Sequence, residues 1–218
     1  MKQFKFIIIL SLLCVGLHAQ NDTSQLVKYD YSFEFKDGIY PDFASFRNNN
    51  PIPYESIITP PYADDFFESL DTTVVIQYNG EFGNIITVPV IEIWGYSKHG
   101  KPYILWADKF NLIPFVGKIT HFITTVKVYY SNYYDPFYDP YRYDPTARVY
   151  QSDELRQFII DMETGEIMDY NMKNVEQILK RDPELYNDFM ELRKRKRSKQ
   201  LFYFVSLYNA KNPLYINK

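Results

Sequence analysis

The feature that most constrains this chain is the shortness of the connections between its apolar runs. Val88–Tyr96, Pro102–Trp106, Phe110–Val116 and Ile119–Tyr130 follow closely on one another, with Lys98-His99-Gly100 and Gly117-Lys118 as punctuation. A parallel crossover needs about a dozen residues or more, so neighbours this close pair antiparallel. Thr72–Tyr78 is a further run rich in β-branched residues. Within Ile119–Tyr130 the pattern has period two. Phe122, Val126, Val128 and Tyr130 fall on one face, and His121, Thr125 and Lys127 on the other. Thr164-Gly165 between Phe158–Asp161 and Glu166–Tyr170 is a hairpin signal. Upstream, Tyr29, Tyr31, Phe33 and Phe35 also alternate and predict a strand, and Asp37-Gly38 predicts a turn. Phe43 and Phe46 suit a one-turn helix stopped by Asn48-Asn49-Asn50-Pro51. Four prolines between 51 and 61 predict an irregular segment crossing the surface over 51–70.

The C-terminal third changes period. Val175, Ile178 and Leu179 have helical spacing. Asp182-Pro183 predicts the start of a second helix, an N-cap followed by the residue favoured at the first helical position. Leu185, Phe189 and Leu192 continue its apolar stripe, with Arg193–Arg197 at its dipole-favoured end. Leu201, Val205 and Tyr208 extend it or begin a third helix, and Asn212-Pro213 stops it. Strands followed by helices define an α+β class. The expected architecture is a curved antiparallel sheet of six to eight strands, or a barrel-like meander, followed by two or three C-terminal helices. Residues 20–218 are expected to form a single domain.

The first nineteen residues have the layout of a cleavable export signal. Lys2 and Lys5 precede the apolar run Phe6–Leu17, and Ala19 offers a cleavage position. The run is shorter than the ~20 residues that span a bilayer. Cys14 lies inside it and is preceded by Leu13, which argues against a lipid anchor. Cleavage would remove the single cysteine and shift the net charge from −3 to −5. The mature chain is then expected in the periplasm or at the cell surface, with no disulfide and no thiol nucleophile. The net negative charge argues against general attraction to nucleic acid. With 21 Tyr, 17 Phe and 2 Trp among 218 residues, the chain can build a large core.

Several short motifs taken together resemble a family of uncharacterised exported bacterial proteins. They are Asp37-Gly38-Ile39-Tyr40 with Phe43, Phe46 and Asn48-Asn49-Asn50-Pro51, then Ile93-Trp94-Gly95-Tyr96, Ile160-Asp161-Met162-Glu163-Thr164-Gly165, Asp182-Pro183-Glu184-Leu185 and Tyr208-Asn209. The resemblance covers about residues 30–215. It implies export and one domain, and it brings no activity and no site.

The most unusual segment is Tyr129–Pro145, where Asp135-Pro136, Asp139-Pro140 and Asp144-Pro145 are interleaved with tyrosines. Tyr133, Tyr134, Tyr138 and Tyr141 are candidate binding residues, because flat rings stack on sugar faces or protein partners. The plainer reading is a long hairpin loop whose rings pack back on the sheet. The basic run Arg193, Lys194, Arg195, Lys196, Arg197 and Lys199 suits a solvated helix face or weak contact with anionic lipid. His99 and His121 lack the spacing of a zinc site and read as structural or surface residues. No Gly-x-Ser-x-Gly elbow, Ser-x-x-Lys pair or phosphate-binding loop occurs, and Gly80-Glu81-Phe82-Gly83 reads as a turn. If the chain hydrolyses glycosides, Glu92 and Asp161 are the best-placed carboxylates. No cofactor or metal is expected. The leading expectation is a non-catalytic exported interaction module that binds a glycan or envelope protein through Tyr-rich loops. The alternatives are an envelope hydrolase using a carboxylate pair, or a small-ligand carrier with a barrel cavity.

Overall fold

Hairpin turns form where the punctuation predicts them. In this computed structural model, which describes residues 26–60, 66–80, 82–131 and 149–218, His99 (φ 52°) and Gly100 (φ 70°) join β6 (Gly95–Lys98) to β7 (Lys101–Trp106). Ala107 and Asp108, both with positive φ, join β7 to β8 (Lys109–Leu112). Paired positive φ values match the twist of the flanking strands. β2 (Gly38–Tyr40) completes this sheet in the order β2-β6-β7-β8.

Among the described residues the strands pair antiparallel, as expected, in four separate sheets, and no barrel closes. β1 (Leu26–Lys28) pairs with the C-terminal β12 (Tyr215–Asn217). β3 (Ile57–Thr59), β4 (Val75–Asn79) and β5 (Ile85–Pro89) form the third sheet. β9 (Ile119–Ser131) and β10 (Val149–Asp161) make a long ribbon, with β11 (Ile167–Asp169) on the β10 edge. The α+β class stands, with helices concentrated at the C-terminus.

The differences have local causes. Tyr29–Phe35 is not a strand, because the Asp30 carboxylate accepts from the Ser32 N–H at 2.8 Å and turns the chain. Tyr29, Phe33 and Phe35 still pack inward, while Tyr31 points to solvent. Gly38 opens β2 rather than a turn. Its φ of 149° is costly for other residues, and a Cβ there would lie 2.4 Å from the Ile52 carbonyl oxygen. Val88–Tyr96 is cut by a 3₁₀ turn at Val90–Glu92 that follows Pro89. Residues 51–70 do not merely cross the surface. Tyr54, Ile57, Phe66 and Leu70 are buried, the last two on α2 (Phe66–Leu70).

The helix signals behave as expected at their starts. Asp42 caps α1 (Phe43–Arg47) through the Ser45 N–H at 2.7 Å, and Asn49 leaves the helix with φ 50°. Asn171 caps α3 (Met172–Leu179), and Asp182 caps α4 (Pro183–Glu191) with Pro183 in the first turn. The basic run does not end α4. Leu192 is already extended, and Lys194–Lys199 forms a separate short helix, α5. α6 (Leu201–Lys211) follows and ends at Asn212.

Among the described residues three apolar clusters result. The first joins Phe35, Tyr40, Phe46, Phe122, Phe158 and Ile216. Its axis is a ring stack in which Phe46 lies between Trp94 (centroids 3.9 Å) and Phe35 (5.0 Å). The second packs Ile119 and Ile159 under α3, α4 and α6. The third lies under β4, β5 and α2, around Phe66, Leu70 and Ile76. The β9–β10 ribbon separates the first two: Phe122 faces one and Ile119, three residues earlier and so on the opposite face of the strand, the other.

Candidate functional site

Two of the proposed site residues are described, and they stand apart. Asp161 ends β10 and is buried. Its Oδ2 accepts from Arg181 at 2.6 Å and its Oδ1 from the Glu163 N–H at 3.0 Å. Burial works against its charge, but the Arg181 guanidinium and the backbone donor outweigh that and hold the carboxyl below the usual carboxylate range. Arg181 also pairs with Glu163 at 3.1 Å, and Glu163 pairs with Lys118 at 2.8 Å. This ion-paired corner ties the β10–β11 turn to the end of α3. It does not supply the protonated acid that glycoside cleavage needs. Glu92 sits exposed on the 3₁₀ turn between β5 and β6. The two carboxylates therefore belong to different parts of the fold.

Neither histidine is placed for metal chemistry. The His99 N–H donates to Asp37 Oδ2 at 2.9 Å in the β6–β7 turn. His121 is buried, with Nε2 3.0 Å from Gln157 Oε1 and its ring edge-on to Tyr170. Among the described residues, no group of three or more His, Cys, Asp or Glu is arranged to hold a metal ion. Tyr133, Tyr134, Tyr138 and Tyr141 lie outside the described residues, as do residues 1–19. The segment 132–148 connects Ser131 to Val149, which are paired at the end of the β9–β10 ribbon.

A concave surface that sequence reasoning missed lies at the β4–β5 hairpin. The Gly80 N–H donates to the Asn84 carbonyl at 2.7 Å and the Gly83 N–H to the Gly80 carbonyl at 3.0 Å, closing the turn. This lifts Phe82 into solvent, where it is 94% exposed. Across from it runs Pro51-Ile52-Pro53, whose fixed φ values stiffen that wall. Ile52 bridges to Ile39 and holds the segment in place. The groove encloses about 630 Å³ and is lined by Phe82 and Tyr78 together with Asn50, Asn79, Asn84 and Ser56. None of its described lining residues is charged. Aromatic faces beside neutral amides and hydroxyls suit a ligand that is flat on one side, rich in hydroxyls and uncharged. The only sequence signal was a large aromatic inside a Gly-bounded turn.

Two further grooves carry charge. Asp71 and Asp108, both exposed, line one of about 420 Å³ beside Trp106 and Phe110. Glu34, His99 and Lys101 line another of about 430 Å³ with Tyr29 and Tyr31. Neither Glu92 nor Asp161 is among the described residues lining these three grooves. No family model matches the chain, and neither does any curated protein or solved structure. Among the described residues no helix is long and apolar enough to cross a membrane.

Proposed function

We propose that this chain is a non-catalytic exported envelope protein that binds a neutral glycan. The observation that carries this reading is Phe82, a fully presented ring at the rim of a groove whose described lining is uncharged. A sugar ring would stack on Phe82, and its hydroxyls would exchange hydrogen bonds with the Asn50, Asn79 and Asn84 amides. The Tyr-rich segment containing Tyr133, Tyr134, Tyr138 and Tyr141 provides a second stacking surface in this proposal. Export rests on the Lys2–Ala19 pattern and on the resemblance to exported bacterial proteins. The carboxylate-pair alternative loses support from the Arg181–Asp161 ion pair and from the exposed position of Glu92. The carrier alternative depends on a closed sheet.

Calorimetric titration of the purified full chain with neutral hexose and N-acetylhexosamine oligosaccharides tests the reading. Phe82→Ala is expected to weaken binding by roughly 5–10-fold, the worth of one aromatic stacking contact. Its exposure predicts an unchanged melting temperature. Absence of binding to every neutral oligosaccharide, or binding that Phe82→Ala leaves intact, overturns it.

A further inference from the structure

The basic run is not explained by the fold that contains it. Because α4 stops at Glu191, Arg193, Lys194 and Arg195 stand at the start of α5, the end where a helix dipole disfavours cations. Ion pairing does not explain them either. Among the described residues only Arg197 of this run has such a partner, Glu176 at 3.7 Å. Arg197 also lies over the Phe189 ring at 5.6 Å, so it serves the helical packing. Arg193, Lys194, Arg195, Lys196 and Lys199 are all exposed.

The next turn of chain exposes large apolar groups. α6 directs Leu201, Phe204, Val205 and Tyr208 inward. Phe202 and Tyr203 therefore face out, at 46% and 57% exposure. They follow Lys199 by three and four residues, within about 15 Å along the chain. Phe115, 59% exposed, joins them with its ring edge-on to Phe202 at 5.8 Å. Free cations beside outward aromatic rings are the two components of an interfacial membrane contact: charge for the head groups and rings for the boundary beneath them.

We propose that α5 and the start of α6 form a docking surface for anionic phospholipid. Arg193, Lys194, Arg195, Lys196 and Lys199 engage head-group phosphates, and Phe202, Tyr203 and Phe115 settle at the head-group and acyl boundary. Phenylalanine carries no hydrogen-bonding group, which favours a lipid boundary over a soluble polyanion. The proposal is independent of the glycan groove, which lies on other elements.

Sedimentation of the full chain with vesicles of phosphatidylcholine alone, or mixed with phosphatidylglycerol, provides the test. Binding is expected only to the mixed vesicles and is expected to fall with added salt. The combined variant Arg193→Gln, Lys194→Gln, Lys196→Gln should lower partitioning on the order of 100-fold. Phe202→Ser with Tyr203→Ser should lower it while leaving its salt dependence in place, and melting curves check that both variants fold. Equal binding to the two vesicle types, no binding to either, or retention by both variants overturns the proposal. So does binding to heparin or RNA by a chain that ignores phosphatidylglycerol.

Discussion

Asp161 shows how one carboxylate can look catalytic in a sequence and prove structural in a fold. It is buried, and Arg181 together with the Glu163 N–H keeps it charged. A carboxyl whose folded pKa is depressed adds stability that is complete above its unfolded value, about 3.9, and is lost as pH falls through the folded value. Asp161→Asn is therefore expected to destabilise the protein at neutral pH. The loss should be about 2 kcal/mol rather than the roughly 3–5 of a fully buried pair, because 39% of the Arg181 side chain remains in water. Denaturant melts from pH 7 to pH 2 should show the gap between wild type and variant closing below about pH 4. A constant gap would mean that Asp161 acts through packing and not through charge. Asn49 is a structural polar group without charge: its Oδ1 accepts from the Lys36 N–H and its Nδ2 donates to the Asn217 carbonyl, tying the segment before β2 to the C-terminal strand.

Among elements, the β10–β11 turn shows what local sequence can specify. Thr164-Gly165 predicts it, and Gly165 adopts φ 80°. A Cβ at Gly165 would also lie 2.5 Å from the Phe43 ring, whereas one at Gly83, φ 74°, would meet nothing within 4 Å. Gly165→Ala is expected to cost about 2–3 kcal/mol, and Gly83→Ala only the backbone part, about 1 kcal/mol. Urea unfolding of the two variants separates collision from strain, and equal losses would refute the Phe43 contact. Helix starts at Asp182-Pro183 and the stop at Asn49 were legible for the same reason: cap, turn and breaker chemistry is settled within a few residues. The break inside Val88–Tyr96 was not, because its apolar run continues across the 3₁₀ turn. The alternation from Tyr29 to Phe35 misled because Asp30 captured the backbone locally. The groove at Phe82 was the least legible feature. One wall is a hairpin and the other a proline segment about thirty residues upstream, and no local pattern announces that they meet.

At the scale of the molecule, two strands hold the clusters together. β2 sends Tyr40 into the first cluster and Ile39 into the third, while β9 sends Phe122 into the first and Ile119 into the second. The first cluster therefore touches both others through shared backbone, and the third meets it mainly through β2 and its sheet. Cavities in the two places should have different reach. Phe122→Ala opens the central cluster and is expected to cost about 3–5 kcal/mol, with faster hydrogen exchange in β2, β9, β10 and α6 alike. Ile76→Ala opens the third cluster and is expected to cost about 2–4 kcal/mol, with accelerated exchange concentrated in β3, β4, β5 and α2. The β4–β5 hairpin carries Phe82, so Ile76→Ala should also weaken the proposed glycan binding while leaving the proposed vesicle binding through α5 unchanged. If Ile76→Ala accelerated exchange equally in α3, α4 and α6, the clusters would unfold as one cooperative unit, and the separation of groove from basic face would have no counterpart in stability.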